Sequence, residues 1–189
     1  MTGDWDEWAA GEARSLRAAG RWRSVRDLDG GGPATSVSGG PPVVSFGSND
    51  YLGLGCHPAV VAAACEAVER WGAGAGSARL VAGARPLHRR LERALAAWKG
   101  AEAAVLFPTG YAANLGVLQA LGGPGVTVVS DELNDASIVD GCRLGRAEVV
   151  VTPHLDVAAV DRAVRHAPGR AVVVTESVFS MDGDVAPHA

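Results

Sequence analysis

Lysine is almost absent from this sequence. Of seventeen basic residues only Lys99 is a lysine; the rest are arginines. Chemistry that needs a lysine amine therefore has one candidate, and Lys99 falls before a glycine at the expected end of a helix, where a cation suits the helix dipole in water. Cysteine is scarce too. Cys56, Cys65 and Cys142 are odd in number and form no CxxC pair, so neither a disulfide framework nor a zinc site is indicated and a reducing compartment is expected. No apolar run approaches the length of a membrane span. The chain opens MTGDWDEW, acidic where a secretory leader would be basic, so a cytoplasmic location is expected. Positive charge is not massed. The formal net charge is −4, which argues against nucleic-acid binding.

What remains is the composition of a globular protein, 48% hydrophobic and 20% charged over 189 residues. Trp5, Trp8, Ala9, Leu16 and Ala19 recur at roughly helical spacing and predict a helix over 5–20. The Gly/Pro/Ser-rich stretch from Gly30 to Pro42 reads as a linker or a turn-rich excursion, and Val43 to Phe46 as a short strand. Residues 1–45 are thus expected to form an N-terminal helix and linker, with 46–189 the first part of a larger domain. His57-Pro58 opens a second helix, and Gly72 to Gly76 breaks it. Pro86 opens a third, with Leu87, Leu91, Leu95 and Trp98 on one face and Lys99-Gly100 at its end.

Thereafter apolar strands alternate with helices. Strands are expected at 104–107, 126–129, 148–151 and 171–175, and helices at 111–121, 136–144 and 157–164. Continuously apolar strands are buried on both faces, as in parallel sheets, and the alternation predicts an α/β layered fold. No internal repeat is visible.

In such sheets ligands bind beyond the carboxyl ends of the strands. Three polar loops fall there. Pro108-Thr109-Gly110-Tyr111 offers a helix N-terminus to an anion; it is equally an ordinary threonine cap. Asp131 to Ser137 offers carboxylates and an amide, or simply a cap from Asn134 or Asp135. Glu176 to Asp184 could bind a ligand or a metal, or form a polar Asp-Gly turn. The run Gly72-Ala73-Gly74-Ala75-Gly76-Ser77 lets backbone approach a ligand closely but is neither a Walker motif nor a Rossmann fingerprint. His57 and His88 read as capping or surface residues, and His154, His166 and His188 as loop or exposed positions.

Together these segments resemble the α-oxoamine synthase family of pyridoxal 5'-phosphate (PLP) enzymes. The resemblance runs from about Trp8 to Ala189. It rests on Ser48-Asn49-Asp50-Tyr51-Leu52-Gly53-Leu54, His57-Pro58, the glycine run through Ser77-Ala78-Arg79-Leu80, and Pro86-Leu87-His88. Pro108-Thr109-Gly110-Tyr111-Ala112-Ala113-Asn114 and Glu176-Ser177-Val178-Phe179-Ser180-Met181-Asp182-Gly183-Asp184 complete the set, in the family's order. The stretch Ser77 to Gly83 is most similar to the biotin-pathway branch.

The resemblance implies a PLP-dependent transferase of fold type I, three-layer α/β/α with a mostly parallel sheet, here truncated, and usually a homodimer. The implied reaction condenses L-alanine with a pimeloyl thioester, carried on CoA or a carrier protein, and releases CO2 to give 8-amino-7-oxononanoate, with PLP as electron sink. Gly110, Tyr111, Asp135 and Ser180 match cofactor-binding positions. Asn49 and Arg21, with Arg23 close behind, match substrate-binding ones. Two departures stand out. Asp135 occupies the position of a family histidine that stacks on the pyridine ring, which predicts weakened PLP affinity. The Schiff-base lysine matches no residue of this chain, so the chain alone is expected to be inactive. Other oxoamine synthases (the glycine C-acetyltransferase or 5-aminolevulinate synthase type), a non-catalytic remnant and a different PLP enzyme of the same fold remain as alternatives.

Overall fold

Prolines and short polar caps decide where the helices begin. The computed structural model describes residues 3–32, 34–37 and 40–187, and the chain divides into two compact units, 1–84 and 85–189. The first opens with α1 (Gly3–Ala18), whose Asp4 and Asp6 in the first turn and Arg17 in the last complement the helix dipole. Where a linker or turn-rich excursion is expected, the chain turns back on itself as a small antiparallel sheet of β1 (Leu28–Asp29), β2 (Ala34–Val37) and β3 (Pro42–Val44), in that order. Gly30 and Gly32, with φ of 145° and 86°, turn the chain in a way few other residues tolerate. Pro33, Ser38 and Gly39 of that stretch lie outside the described residues, as does His188. Ser45 and Phe46, expected to extend the following strand, lie beyond β3.

In α2 (Pro58–Trp71) the His57 ring accepts the Ala59 N–H at 3.2 Å, the capping role expected of it. After the Gly72 break a single π-type turn spans Arg79–Gly83. A side chain at Gly83 would collide with the Ser77 carbonyl, so this turn closes only on glycine.

The second unit begins with α3 (Pro86–Lys99). His88 Nδ1 accepts the Arg85 N–H at 3.1 Å, and Gly100 ends the helix at φ 64°, the left-handed cap that its sequence signals. The apolar run 104–107 is not a strand. An apolar run becomes one only beside a partner that completes its ladder, and here the Leu106 N–H donates to Glu92 Oε1 of α3 at 3.0 Å.

From there the order is α4 (Gly110–Leu121), β4 (Val126–Asp131), α5 (Ala136–Leu144), β5 (Glu148–Thr152), α6 (Val157–His166) and β6 (Arg170–Val174). The three strands form a parallel sheet in the order β5-β4-β6, with Val128 opposite Val149 on one side and Val172 on the other. Thr127 to Asp131 of β4 are all buried. Because successive strand residues face opposite ways, Val128 packs with Leu118, Ile138 and Cys142 of α4 and α5, while Val129 and Val173 line a groove with Val157 and Val160 of α6. This is the expected α/β/α layering. Helices α4 and α5 meet at Gly141, where an added Cβ would lie 2.7 Å from the Leu118 side chain and 3.2 Å from the Asn114 carbonyl. Burial pushes the Cys142 thiol up from its ordinary pKa, as expected of an inert core cysteine.

Candidate functional site

The carboxyl end of the parallel sheet and the heads of α4 and α5 bring together the polar loops that the sequence singles out. At the head of α4, Thr109 Oγ1 accepts the Ala112 N–H at 3.0 Å. The N–H groups of Gly110 and Tyr111 precede the intrahelical ladder and point outward at the positive end of the helix dipole. Apart from its chain neighbours and its own helix backbone, no atom lies within 4 Å of where a Gly110 side chain would begin, which leaves open space beside this helix head. The Tyr111 hydroxyl donates to Asp140 Oδ2 at 2.8 Å. That bond, with some burial and the charges of Asp140 and Asp135, holds the phenol above its ordinary pKa.

Between β4 and α5, Asn134 Nδ2 donates to Ser130 Oγ and to the Val174 carbonyl, both at 2.9 Å, tying the ends of β4 and β6 together. Its Oδ1 is buried with no hydrogen-bond partner. Asp135 caps α5. Its carboxylate accepts the Ser137 N–H at 2.8 Å and the Ser137 hydroxyl at 2.5 Å, bonds that hold it below the usual carboxylate range. Asn114 Nδ2 donates to the same Ser137 hydroxyl at 2.9 Å, and the Asp135 N–H donates to Glu176 Oε1 at 2.6 Å. Asp135 thus stands between the heads of two helices and the segment after β6.

That segment is a tight hairpin. Val178 bridges Val185, the Phe179 N–H donates to the Asp184 carbonyl and the Gly183 N–H to the Phe179 carbonyl, each at 2.8 Å. Gly183 turns at φ 79°, the Asp-Gly turn open to it from sequence. Phe179 is 2% exposed, whereas Ser180 beside it faces solvent.

His154 lies in the turn after β5, a loop position as expected, but it is not exposed: its side chain is 18% accessible and lies between two carboxylates, with Nδ1 2.9 Å from Asp131 Oδ1 and Nε2 3.2 Å from Asp184 Oδ2. Its ring stands edge-on to Phe179, centroids 4.5 Å apart at 89°. Asp131 also accepts the Leu133 and Leu155 N–H groups, both at 2.9 Å, the latter holding Leu155 at φ 57°. The Asp131 hydrogen bond raises the imidazole's pKa against the opposing effect of burial, and Asp184 adds to the rise. Burial pushes the Asp131 carboxyl up, but the two amides and His154 outweigh it and hold it below its ordinary range. One signal was available. Asp131 pairs with Thr152 in the parallel ladder, so the second residue past β5 had to emerge beside that carboxylate. His166, by contrast, is exposed as expected, its Nδ1 2.7 Å from the Arg162 carbonyl.

Arg21, Arg23 and Asn49 belong to the first unit and are exposed. The Arg21 N–H bonds the Leu16 carbonyl at 2.9 Å, following α1, and Asn49 Oδ1 accepts from the Tyr51 hydroxyl at 3.2 Å. Lys99 is exposed at the end of α3, its Nζ 4.7 Å from the Trp98 ring centroid.

A family model for aminotransferase class I and II matches residues 41–189. The chain belongs to the aminotransferase class I and II family. Among curated members it is 52% identical over 180 residues to 8-amino-7-oxononanoate synthase of Geobacter sulfurreducens, an alignment covering 94% of this chain and 46% of that one. It is 57% identical over 151 residues to the synthase of the same name from Mycolicibacterium smegmatis, covering 78% and 40%. Among solved structures it resembles serine palmitoyltransferase from S. paucimobilis with a PLP ligand bound, at TM-score 0.86 and 32% identity over 99% of this chain and 50% of that one. The resemblance to the α-oxoamine synthases and the PLP-dependent fold type I both hold. This family member spans about half the length of the curated relatives it matches.

The two unladdered amides at the head of α4 have the chemistry to hold an anionic group such as a phosphate. The place given to a ring-stacking histidine by the resemblance is held by the Asp135 carboxylate, which is engaged in capping α5. Among the described residues no group of three or more histidine, cysteine, aspartate or glutamate side chains could hold a metal ion, and no helix is long and apolar enough to cross a membrane.

Proposed function

We propose that this chain carries the cofactor-phosphate cradle and part of the substrate site of a PLP-dependent acyltransferase. The reaction joins L-alanine to pimeloyl-CoA or a pimeloyl-carrier protein, with loss of CO2, to give 8-amino-7-oxononanoate for biotin synthesis. The observation that carries this reading is the head of α4, where an open, uncapped pair of amides stands within a sequence 52% identical to a named synthase.

When bound, PLP supplies the electron sink that makes the amino-acid Cα a nucleophile. The chain's own residues do the rest of the holding. The Gly110 and Tyr111 amides take the phosphate, Asp135 lies along the ring, Ser180 reaches the cofactor from the hairpin, and Arg21 and Asn49 bind substrate. Lys99 is the only lysine and ends α3, before the phosphate cradle, so no residue of this chain takes the part of the Schiff-base lysine. We place the protein in the cytoplasm as a homodimer that binds no nucleic acid.

The departure at Asp135 yields a direct test. An aromatic contact is worth about 0.5–1.5 kcal/mol, and Asp135→His also removes a negative charge beside an anionic cofactor. The substitution is expected to tighten PLP binding about tenfold, read by equilibrium dialysis. Unchanged affinity would remove residue 135 from the ring, and absence of PLP binding by either form would sink the functional reading. A second reading, an oxoamine synthase of different amino-acid preference, is favoured by the likeness to serine palmitoyltransferase. Alanine, glycine and serine tested as competing ligands of the loaded protein separate the two.

A further inference from the structure

His154 touches neither the head of α4 nor any residue that the resemblance assigns to cofactor or substrate, yet it joins the sheet to the hairpin that carries Ser180. Carboxylates only accept hydrogen bonds, and a neutral imidazole has one N–H to give. Contacts from Nδ1 to Asp131 and from Nε2 to Asp184 are both satisfied only by the doubly protonated ring. The charged groups around it are otherwise acidic. Glu132 Oε1 accepts the His154 N–H at 3.0 Å, Asp182 shares the hairpin turn with Asp184, and Asp156 caps α6 two residues further on. On α6, Arg162 stands 4.0 Å from Asp156 and Arg165 pairs with Asp161.

We propose that His154 is a positioning residue whose imidazolium latches the 177–186 hairpin, through Asp184, to Asp131 at the end of β4. Asp131 is the more buried and the closer partner, with side-chain exposure of 8% against 49% for Asp184. On deprotonation the ring therefore keeps Asp131 and releases Asp184. The sign follows from the raised imidazole pKa. The latch is fully closed below the ordinary histidine value and opens as pH rises through the raised one. Ser180, at the exposed turn, is held in place when the latch is closed and freed when it opens. Giving Ser180 a cofactor to meet rests on the reading above, but the latch itself does not.

The test follows the 189-residue chain without PLP. The His154 ring is titrated by NMR, and exchange is measured at the amides of Phe179, Gly183 and Ala186, which close the hairpin onto Asp184, Phe179 and Ser177. Between pH 5 and 8.5 their protection, corrected for intrinsic exchange, is expected to fall at least fivefold with the midpoint of the ring titration. Protection of Val128 and Val129 in β4 should stay constant. Asp184→Asn should leave hairpin protection low and independent of pH, and His154→Gln should do the same. Hairpin protection that ignores the ring midpoint, or that survives Asp184→Asn, overturns the proposal, as does a parallel loss at β4, which would signal global unfolding. PLP dialysis on the same samples stands apart, so failure of cofactor binding leaves the latch result intact.

Discussion

Phe179→Ala is expected to lower the unfolding free energy by about 3–5 kcal/mol. The ring is 2% exposed and is among the largest fully buried side chains of the chain, although it sits in a loop rather than a strand or helix. It anchors the hairpin from beneath while the Val178–Val185 bridge and the Asp184 carbonyl hold it from the sides. Removing it leaves a cavity against His154 and takes away the edge-on ring contact, worth a further fraction of a kcal/mol within that range. Urea unfolding followed by far-UV circular dichroism reads the loss. A change below about 1 kcal/mol would mean that the hairpin does not pack on the sheet in solution.

Leu118→Ala is expected to cost about 2–5 kcal/mol. Leu118 is 4% exposed and lies at the centre of the cluster with Val128, Ile138 and Cys142. Its side chain occupies the gap left by the missing Cβ of Gly141, so the two positions are coupled. Alone, Gly141→Ala should destabilise by overpacking, about 1–3 kcal/mol, partly offset by alanine's better helix propensity. In the Leu118→Ala background the 2.7 Å neighbour is gone while the Asn114 carbonyl stays at 3.2 Å, and the same change should cost clearly less. A double-mutant cycle with a coupling energy near zero would show that α4 and α5 do not meet there.

Much of this arrangement was legible because local signals and packing agree. Pro58, Pro86, Gly72 and Gly100 mark helix ends by what their backbones allow, and the valine-rich runs at β4, β5 and β6 are strands of one parallel sheet as read, although only central β4 is buried along nearly its whole length while β5 and β6, at the edges, keep exposed valines. The head of α4 was readable for the same reason, since Thr109 as cap and Gly110 as first residue expose amides whatever surrounds them. The failures are those of non-local geometry. Residues 104–107 have the composition of a strand but no ladder fixed by their own sequence. The glycine-rich stretch before Val43 looked unstructured because strand pairing supplies what propensity withholds. His154 was passed over because its partners lie 23 and 30 residues away and only the register of β4 against β5 brings them together. Asp135, a cofactor contact by resemblance, also fills the cap role that was one of its two local readings, as its hydrogen bonds to Ser137 show.

The placement of β4 between two strands that both follow it in the chain has a kinetic meaning. During synthesis β4 emerges before both strands that pair with it among the described residues, so although α4 and α5 can already cover Val128, its ladder stays open until β5 arrives. Its second edge waits for β6, which pairs Val126 with Arg170 across two intervening helices. The slowest loop closure therefore falls on the strand with the most apolar surface to protect. The interval between β4 and β6 leaving the ribosome is the window in which this chain is most exposed to association with its own copies, and in which a chaperone would do most good.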